Sequence, residues 1–214
     1  MTVIPSINAT DFEVVKSQIT EAKDFGAVQI HLDISDGTLT KYRTWNNSVE
    51  FQMELQKMRI KNQIDIGVHL MVSDPDDVFE QWIEAGVRKI IVHVETVRSF
   101  LMMKQQCDKA EVELVLAVNP KMEVQRLMGH NGITHFMILA VEPGPSGQKF
   151  QDDQLEKIKT LREIMPNATI EVDGGINVEV AQKVKEAGAD SIIAGAYIWN
   201  DENPSEAFKK LKAV

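Results

Sequence analysis

The chain has 214 residues, of which 43% are hydrophobic and 26% charged, a composition typical of a folded globular protein. Its 23 basic and 32 acidic residues give a net charge of −9, which argues against a nucleic acid or an anionic membrane surface as partner. The single cysteine, Cys107, excludes an intramolecular disulfide and a cysteine-based metal site. The sequence has no apolar run long enough for a membrane span and its first residues lack signal-peptide features, so we expect a cytoplasmic protein.

Short β-rich runs alternate with amphipathic helical segments along the chain. The helical segments carry apolar residues at helical spacing, as Val178, Ala181, Val184 and Ala187 do. Eight strands are predicted in chain order: Val3–Ile7, Val28–Ile34, Ile64–Met71, Lys89–Glu95, Val112–Asn119, Thr134–Val141, Thr169–Asp173 and Ser191–Ala194.

Several residues have strong preferences for helix ends. The run Thr10-Asp-Phe-Glu13 predicts a capping box. Asp74 followed by Pro75 predicts an N-cap with proline in the first turn. Three helices are predicted to stop at a left-handed glycine: Gly26, Gly86 and Gly188.

Regular alternation of strands and helices predicts parallel strands joined by crossover helices. An open doubly wound sheet and a closed (β/α)8 barrel both satisfy this pattern. One face of each strand is apolar, whereas the other becomes polar toward the C-terminal end, as Gln29, His31 and Asp33 do. An open sheet covered by helices on both faces would show near-continuous apolar runs. We therefore predict an α/β protein folded as a single (β/α)8 TIM barrel domain over residues 1–214.

Four polar side chains lie at the predicted ends of three strands: His31, Asp33, His69 and Asp173. Two imidazoles and two carboxylates at one mouth are suitable ligands for a divalent ion such as zinc, iron, manganese or cobalt. Each histidine could instead be a hydrogen-bonded wall residue, and Asp173 could be the N-cap of the next helix. The combination of four such residues favours a metal or acid–base site.

Three neighbouring polar residues fit supporting roles. Asp36 is interpreted as a cap, and Glu95 as a residue that orients a ligand. His93 could be a wall residue or a contact of a ligand.

Glycine clusters follow the last three predicted strands, in Glu142–Phe150, Asp173–Ile176 and Ala194–Trp199. Glycine lets backbone N–H groups approach an anion, and the loops after strands seven and eight commonly bind phosphate in this barrel. Glycines also serve ordinary turns, but their coincidence in three adjacent loops predicts a phosphate site.

A set of short motifs spans nearly the whole chain. In order they are Pro5-Ser6-Ile7, His31-Leu-Asp33-Ile-Ser-Asp36-Gly37, His69-Leu-Met71, His93-Val-Glu95, Asn119-Pro120, Pro143-Gly-x-x-Gly-Gln-x-Phe150 and Val172-Asp-Gly-Gly-Ile176. Together they resemble the ribulose-phosphate 3-epimerase family, which implies a (β/α)8 barrel of the ribulose-phosphate-binding type.

The resemblance implies roles for individual residues. His31, Asp33, His69 and Asp173 would bind one catalytic divalent metal ion, and Asp33 and Asp173 would be the two acid–base groups. The substrate or its phosphate would contact the other matched residues: Ser6, His69, Met71, Gly144, Pro145, Ser146, Gly147, Gly174, Gly175, Gly195 and Ala196.

The implied reaction is epimerisation at C3 of a ketose phosphate, with D-ribulose 5-phosphate to D-xylulose 5-phosphate as the leading case. One aspartate would remove a proton beside the ketone and the other would return a proton to the opposite face, through a metal-stabilised enediolate. A homo-oligomer is also expected.

Three alternatives stay open. One is an epimerase for another ketose phosphate, such as allulose 6-phosphate. Another is a sugar-phosphate decarboxylase or aldolase on a related barrel, although the resembling decarboxylases carry Asp-x-Lys-x-x-Asp at strand two and this chain has no lysine there. The third is a non-catalytic barrel that binds a sugar phosphate.

The sequence departs from the family pattern around the substrate. Thr38–Arg43 replaces a Phe-Val-Pro-Asn segment, and Ser35 and Leu139 stand where methionines are expected. These differences bear on which sugar is bound rather than on the type of reaction. Lys41 and Arg43 in the altered loop are either solvated charges or contacts to the substrate's phosphate or hydroxyls.

Overall fold

The computed structural model describes residues 1–58 and 63–214. Eight parallel strands form a closed barrel in the order in which they occur along the chain. Their bounds lie close to those predicted: β1 (Thr2–Ile7), β2 (Gln29–Ser35), β3 (Asp65–Met71), β4 (Lys89–His93), β5 (Glu113–Val118), β6 (His135–Leu139), β7 (Thr169–Asp173) and β8 (Ser191–Ala194).

Hydrogen bonding between the first and last strands closes the sheet. Val3 of β1 lies opposite Ile192 of β8, and Ile192 also lies opposite Val172 of β7. Because every strand has two parallel neighbours, the open doubly wound sheet is excluded. The predicted (β/α)8 TIM barrel is confirmed.

Helices surround the barrel: α1 (Phe12–Asp24), α2 (Ser48–Met58), α3 (Phe79–Glu84), α4 (Phe100–Lys109), α5 (Gln154–Ile164), α6 (Val178–Ala187), α7 (Ala196–Trp199) and α8 (Pro204–Lys212). Short 3-10 helices occur at Pro75–Asp77 and Val124–Leu127. Within the described parts of the chain, no helix combines the length and the apolar character that crossing a membrane requires.

The connection from β5 to β6 contains a 3-10 helix instead of an α-helix, so the alternation is less regular there than predicted. Pro120 is the second residue of this connection, and Gly129 and Gly132 near its end have φ values of 84° and 86°. Proline and two left-handed residues leave too little chain between them for an α-helix of several turns.

Two apolar layers lie on the two sides of the sheet. The larger lies between strands and helices and contains outward side chains such as Ile30, Leu32 and Val68. The smaller lies inside the barrel and contains Ile4, Ile91, Val115, Ala117, Met137 and Ile193. Polar inward side chains of the same strands lie on either side of this inner layer, which agrees with the predicted alternation of faces.

The start of α1 differs from the prediction. Asp11 is its N-cap, and the Asp11 carboxylate accepts hydrogen bonds from the N–H groups of Glu13 and Val14. The predicted capping box that starts at Thr10 is therefore wrong. A carboxylate one residue later reaches the free N–H groups and adds a negative charge at the helix N-terminus.

Asp74 occupies the predicted N-cap position of the short helix at Pro75–Asp77. Pro75 begins the 3-10 helix as predicted, but the Asp74 side chain makes no capping hydrogen bond. Its Oδ1 lies 2.7 Å from Nη2 of Arg98 instead. The predicted glycine stops are confirmed, with φ values of 88°, 90° and 110° at Gly26, Gly86 and Gly188.

Candidate active site

Four side chains meet inside the C-terminal end of the barrel. Nε2 of His31 lies 3.2 Å from Oδ1 of Asp33 and 3.8 Å from Oδ2 of Asp173. Nδ1 of His69 lies 3.2 Å from Oδ1 of Asp33 and 4.0 Å from Oδ2 of Asp173. Each residue offers one ligand atom, and these atoms lie within 4.8 Å of one another. Strands β2, β3 and β7 thus bring together the four residues singled out in the sequence.

The separations suit a divalent cation at the centre of the cluster. Ligand atoms about 2.1 Å from a tetrahedral ion lie about 3.4 Å from one another, and the nitrogen–oxygen distances here run from 3.2 to 4.0 Å. Imidazole and carboxylate donors suit zinc, iron, manganese or cobalt. Among the described residues neither Asp33 nor Asp173 has a lysine or arginine partner, so a bound metal ion would help to balance their charge.

The two carboxyl groups differ strongly in acidity. Burial alone would raise the pKa of Asp33, but hydrogen bonds with His31 and His69 outweigh burial and hold its pKa well below the usual range. Burial raises the pKa of Asp173 to about 7, helped by the charge of Asp33 and opposed by that of His31. Without a metal, one carboxyl is therefore ionised near neutral pH while the other exchanges its proton readily.

Asp173 is not a helix cap. The N-cap of α6 is Asn177, whose side-chain oxygen accepts a hydrogen bond from Val180 N–H at 2.9 Å. This removes the alternative interpretation of Asp173 and leaves its carboxylate directed at the histidines.

His93 supports the cluster from below His69. Its Nε2 lies 2.9 Å from Nε2 of His69. Burial, reinforced by the charge of His69, lowers the pKa of His93 to about 3, so this ring is neutral. Nδ1 of His93 lies 3.6 Å from Oε1 of Glu95, which Asn119 holds by a 2.5 Å hydrogen bond from Nδ2. His93 therefore contacts a candidate ligand, and Glu95 lies one step further out.

The backbone after Asp33 is tied to the following loop. Thr44 Oγ1 donates to the carbonyl oxygen of Asp33 and accepts from Ser35 N–H, both at 2.8 Å. Asp36 caps a turn, because its Oδ1 accepts from the N–H of Thr38 at 2.8 Å. These contacts fix the end of β2 and hence the direction of the Asp33 side chain.

A cavity of about 200 Å³ adjoins the cluster at the mouth of the barrel. Asp33 and Asp173 form part of its wall together with Met71 and Leu139. The glycine-rich loops form the rest of the polar wall, with Ser6, Gly144, Pro145, Ser146, Gly147, Gly174, Gly175, Gly195 and Ala196. No lysine or arginine is among the described residues that line it.

Two glycines permit backbone segments to approach closely at this wall. A Cβ atom at Gly175 would lie 2.2 Å from the backbone nitrogen of Phe150, and Gly175 has a φ of 69°. A Cβ at Gly195 would lie 2.6 Å from Oγ of Ser6 and 2.8 Å from Oγ of Ser146. Side chains at these positions would separate the loops that the sequence assigned to phosphate binding.

Residues 2–199 match the model of the ribulose-phosphate 3-epimerase family. The chain belongs to this family. It is 31% identical over 219 residues to ribulose-phosphate 3-epimerase of Aquifex aeolicus, across 98% of this chain and 95% of the relative. It is 30% identical over 221 residues to that of Bacillus subtilis, across 98% and 97%. The chain is therefore an isomerase of the epimerase type, and the non-catalytic and decarboxylase alternatives are set aside.

Solved structures of other enzymes share the barrel. One is 3-keto-L-gulonate-6-phosphate decarboxylase from Vibrio cholerae, with a TM-score of 0.75 and 13% identity over 99% of this chain and 95% of that chain. A likeness at this level of identity shows the fold alone, since one fold supports many reactions. The reaction has to be argued from the epimerase-family site itself.

In this member of the epimerase family the altered loop Thr38–Arg43 lies beside the cavity without filling it. Lys41 and Arg43 are exposed, and neither is among the described residues that line the cavity. The Arg43 side chain packs over Gly37, where a Cβ would lie 2.8 Å from Nε of Arg43. The contacts favour solvated charges over substrate ligands for both residues.

Sequence reasoning missed Asn8 in this epimerase-family site. Nδ2 of Asn8 lies 2.9 Å from Oδ2 of Asp33 and 3.4 Å from the carbonyl oxygen of Gly144. Asn8 follows β1 two positions after Ser6, so strand alternation alone could have placed it on the cavity side. Tyr197 also lines the cavity and carried no distinctive signal, whereas Gln148, another lining residue, belongs to the motif that starts at Pro143.

Proposed function

We propose that the chain epimerises a ketose phosphate at C3, with D-ribulose 5-phosphate to D-xylulose 5-phosphate as the leading reaction. The observation that carries this proposal is that Asp33 and Asp173 line one cavity while His31 and His69 lie buried directly beside them. Inverting a carbon requires proton removal and proton return on opposite faces, and two carboxyl groups from separate strands can supply both.

The proton transfers belong to Asp33 and Asp173. One carboxylate removes the C3 proton, and the C–H electron pair moves toward the ketone oxygen at C2 to give an enediolate. The other carboxyl group delivers a proton to the opposite face of C3, and the electron pair returns from the oxygen. The order of the two aspartates depends on which epimer is bound.

His31, Asp33, His69 and Asp173 would hold one divalent metal ion, because their four ligand atoms face one another and no lysine or arginine among the described residues pairs with the two carboxylates. When bound, the ion would polarise the ketone and offset the negative charge that develops on the substrate oxygens. Met71 and Leu139 line the same wall and exclude water, which strengthens electrostatic stabilisation of the reacting atoms.

The phosphate group would lie against the glycine-rich loops. Ser6, Ser146 and the backbone at Gly147, Gly175, Gly195 and Ala196 line that part of the cavity. The described lining contains no basic side chain, so hydroxyl and backbone N–H groups would hold the anion. Gly144, Pro145 and Gly174 would shape the wall.

The loops around the sugar are the parts of the site that differ from the family pattern. Allulose 6-phosphate, one carbon longer, is the second candidate. The cavity joins a groove lined by Thr10, Gln18 and Tyr42, which offers room beyond the phosphate-binding wall. Both sugars therefore belong in the test.

The decisive experiment follows deuterium from solvent into C3 of ribulose and allulose phosphates, together with formation of the epimer. We expect incorporation and epimer formation with one of these sugars, and loss of epimer formation in Asp33→Asn and Asp173→Asn, each of which can retain exchange only on the face served by its remaining aspartate. Asp24→Asn, on the exposed end of α1, is the matched control and should behave as wild type. Absence of exchange and of epimer with every ketose phosphate tried would refute the proposal.

The remaining predictions concern the whole chain. A single domain over residues 1–214, a cytoplasmic location and a homo-oligomeric assembly stay predictions. Size-exclusion chromatography with light scattering measures the last of these directly.

A further inference from the structure

Asn8 occupies an unusual place between two parts of the cavity wall. It is half-buried directly after β1 and lines the cavity. Its Nδ2 lies 2.9 Å from Oδ2 of Asp33 and 3.4 Å from the carbonyl oxygen of Gly144 in the phosphate loop. One amide group therefore touches both a proposed proton-transfer carboxylate and the loop proposed to face the phosphate.

The orientation of the Asn8 amide follows from its neighbours. A carboxylate oxygen and a carbonyl oxygen both accept hydrogen bonds, so the NH₂ end must face them. Oδ1 of Asn8 is consequently buried, and it has no hydrogen-bond partner among the described residues. An unpaired buried oxygen destabilises a fold. The unpaired Oδ1 of Asn8 is therefore unfavourable for the stability of the fold.

The two carboxylate oxygens of Asp33 have different partners. Oδ1 lies 3.2 Å from both Nε2 of His31 and Nδ1 of His69. Oδ2 lies against Asn8 on the cavity side. Rotation of the carboxylate about its Cβ–Cγ bond would break contacts at both ends, so Asn8 holds the plane of the Asp33 carboxylate as well as its position.

We propose that Asn8 is a positioning residue that holds Oδ2 of Asp33 toward C3 of the substrate. This inference rests on the proposed two-aspartate epimerisation. An amide suits the task because it donates a hydrogen bond and has no transferable proton of its own near neutral pH, so Asp33 remains the group that exchanges with C3 on its side. The contact between Asn8 and the carbonyl oxygen of Gly144 also links the Asp33 carboxylate to the glycine-rich loop Glu142–Phe150.

Asn8→Leu separates this role from a structural one. Leucine has the same branched shape, lacks the donor and removes the unpaired oxygen. We expect kcat to fall about 10- to 100-fold, the usual consequence of misplacing a reacting group. KM should change less than about threefold, because the phosphate loop and Asp173 are intact, and the melting temperature should be unchanged or higher.

The ratio of deuterium exchange to epimer formation distinguishes a positioning role from a loss of packing, because loss of packing alone would not change this ratio. For the epimer whose C3 proton Asp173 removes, deuterium can replace that proton on Asp173 and return to the same face without Asp33. In Asn8→Leu, deuterium should therefore enter recovered substrate several times more often per epimer formed than in wild type. Starting from the other epimer, both exchange and epimerisation should slow together.

Asn46→Leu, the same change at an exposed loop position, is the matched control and should retain wild-type kinetics. Asn8→Ala removes the donor without adding bulk and serves the same test if the leucine variant does not fold. An unchanged kcat, or a reduced kcat with an unchanged ratio of exchange to epimer formation and a lower melting temperature, overturns the positioning role. A wild-type chain that neither exchanges nor epimerises any ketose phosphate refutes the proposed function itself, which the wild-type arm reveals separately.

Discussion

The two ends of the barrel interior carry similar residues in opposite electrostatic states. At the N-terminal end, Nζ of Lys89 lies 2.6 Å from Oε1 of Glu171, and His135 lies 3.2 Å from Glu171 and 2.8 Å from Glu113. Burial would raise the pKa of Glu171, but His135 and Lys89 outweigh burial and hold its pKa at about 2. Each carboxylate there has a cationic partner.

At the C-terminal end, the carboxylates of Asp33 and Asp173 have no lysine or arginine partner among the described residues. Both lie beside His31 and His69. Burial would lower the pKa of His31, but the hydrogen bond with Asp33 and the neighbouring carboxylate charges together outweigh burial and raise it, and the pKa of Asp173 is raised to about 7. The comparison shows that a buried carboxylate stabilises the fold when a cationic side chain neutralises it. Where the protein leaves it unbalanced, it can bind a cation or move a proton.

The largest effect is expected from the two aspartates. Asp33→Asn or Asp173→Asn removes a proposed proton-transfer group and should reduce kcat by about 10²–10⁴-fold. The loss of kcat in the double variant should be far smaller than the product of the two single losses, because both groups would act in one reaction. Steady-state kinetics on the three variants check this. Near-normal turnover in either single variant is incompatible with two bases.

At the opposite end, Lys89→Met should affect stability more than activity. It leaves buried Glu171 with His135 as its remaining partner, and loss of one partner of a buried ion pair costs up to about 3–5 kcal/mol. Urea denaturation measures the change. Lys121→Met removes an exposed partner of Glu142 and is the control, with little expected change. Replacing both Lys89 and Glu171 by apolar residues should recover much of the loss. An undiminished free energy of unfolding in Lys89→Met would mean that the N-terminal network is not structural.

At the C-terminal end of the metal-free protein, removal of an ionisable side chain should instead increase the stability of the fold. The Asp173 carboxyl has a reference pKa of 3.8 and titrates near 7 when folded, so the folded state holds a proton that the unfolded chain has released. Stability therefore falls as pH rises from about 4 to 7. Asp173→Asn removes this dependence and should raise stability by about 1–2 kcal/mol at pH 7. Thermal denaturation of chelator-treated protein at pH 4 and 7 measures it. Equal pH dependence in variant and wild type would disprove the imbalance.

The smallest effect is expected in the altered loop. Lys41→Ala and Arg43→Ala should each change kcat/KM less than about twofold, since exposed charges outside a site contribute little. Assays with ribulose and allulose phosphates check both variants. A loss of about tenfold or more with one sugar would make the loop a specificity element, as one sequence interpretation suggested.

The barrel and the four clustered residues were predictable from local patterns. Alternation in β2 placed Gln29, His31 and Asp33 on one face, and closure of the sheet directs that face inward. Strand ends shifted by one or two residues because hydrogen bonding, not hydrophobicity, sets them. At the start of α1, Thr10 and Asp11 were both chemically able to cap, and only backbone geometry separates them.

Contacts between distant strands were not predictable. The Asn8 amide meets Asp33 and Gly144, the latter 136 residues away in sequence. Lys89 and Glu171 are 82 residues apart, and neither residue alone predicts a buried ion pair. Such pairs depend on the register of the closed sheet, which one sequence without structure does not reveal.

The most direct test of the account asks whether the unbalanced C-terminal cluster works as a metal centre. The protein is stripped with a chelator, verified metal-free by elemental analysis, and assayed for deuterium entry at C3 with and without zinc, manganese, cobalt or ferrous ions. We predict that exchange is lost and that at least one ion restores it, whereas His69→Ala requires far more of that ion. Full exchange in verified metal-free protein would contradict the central claim.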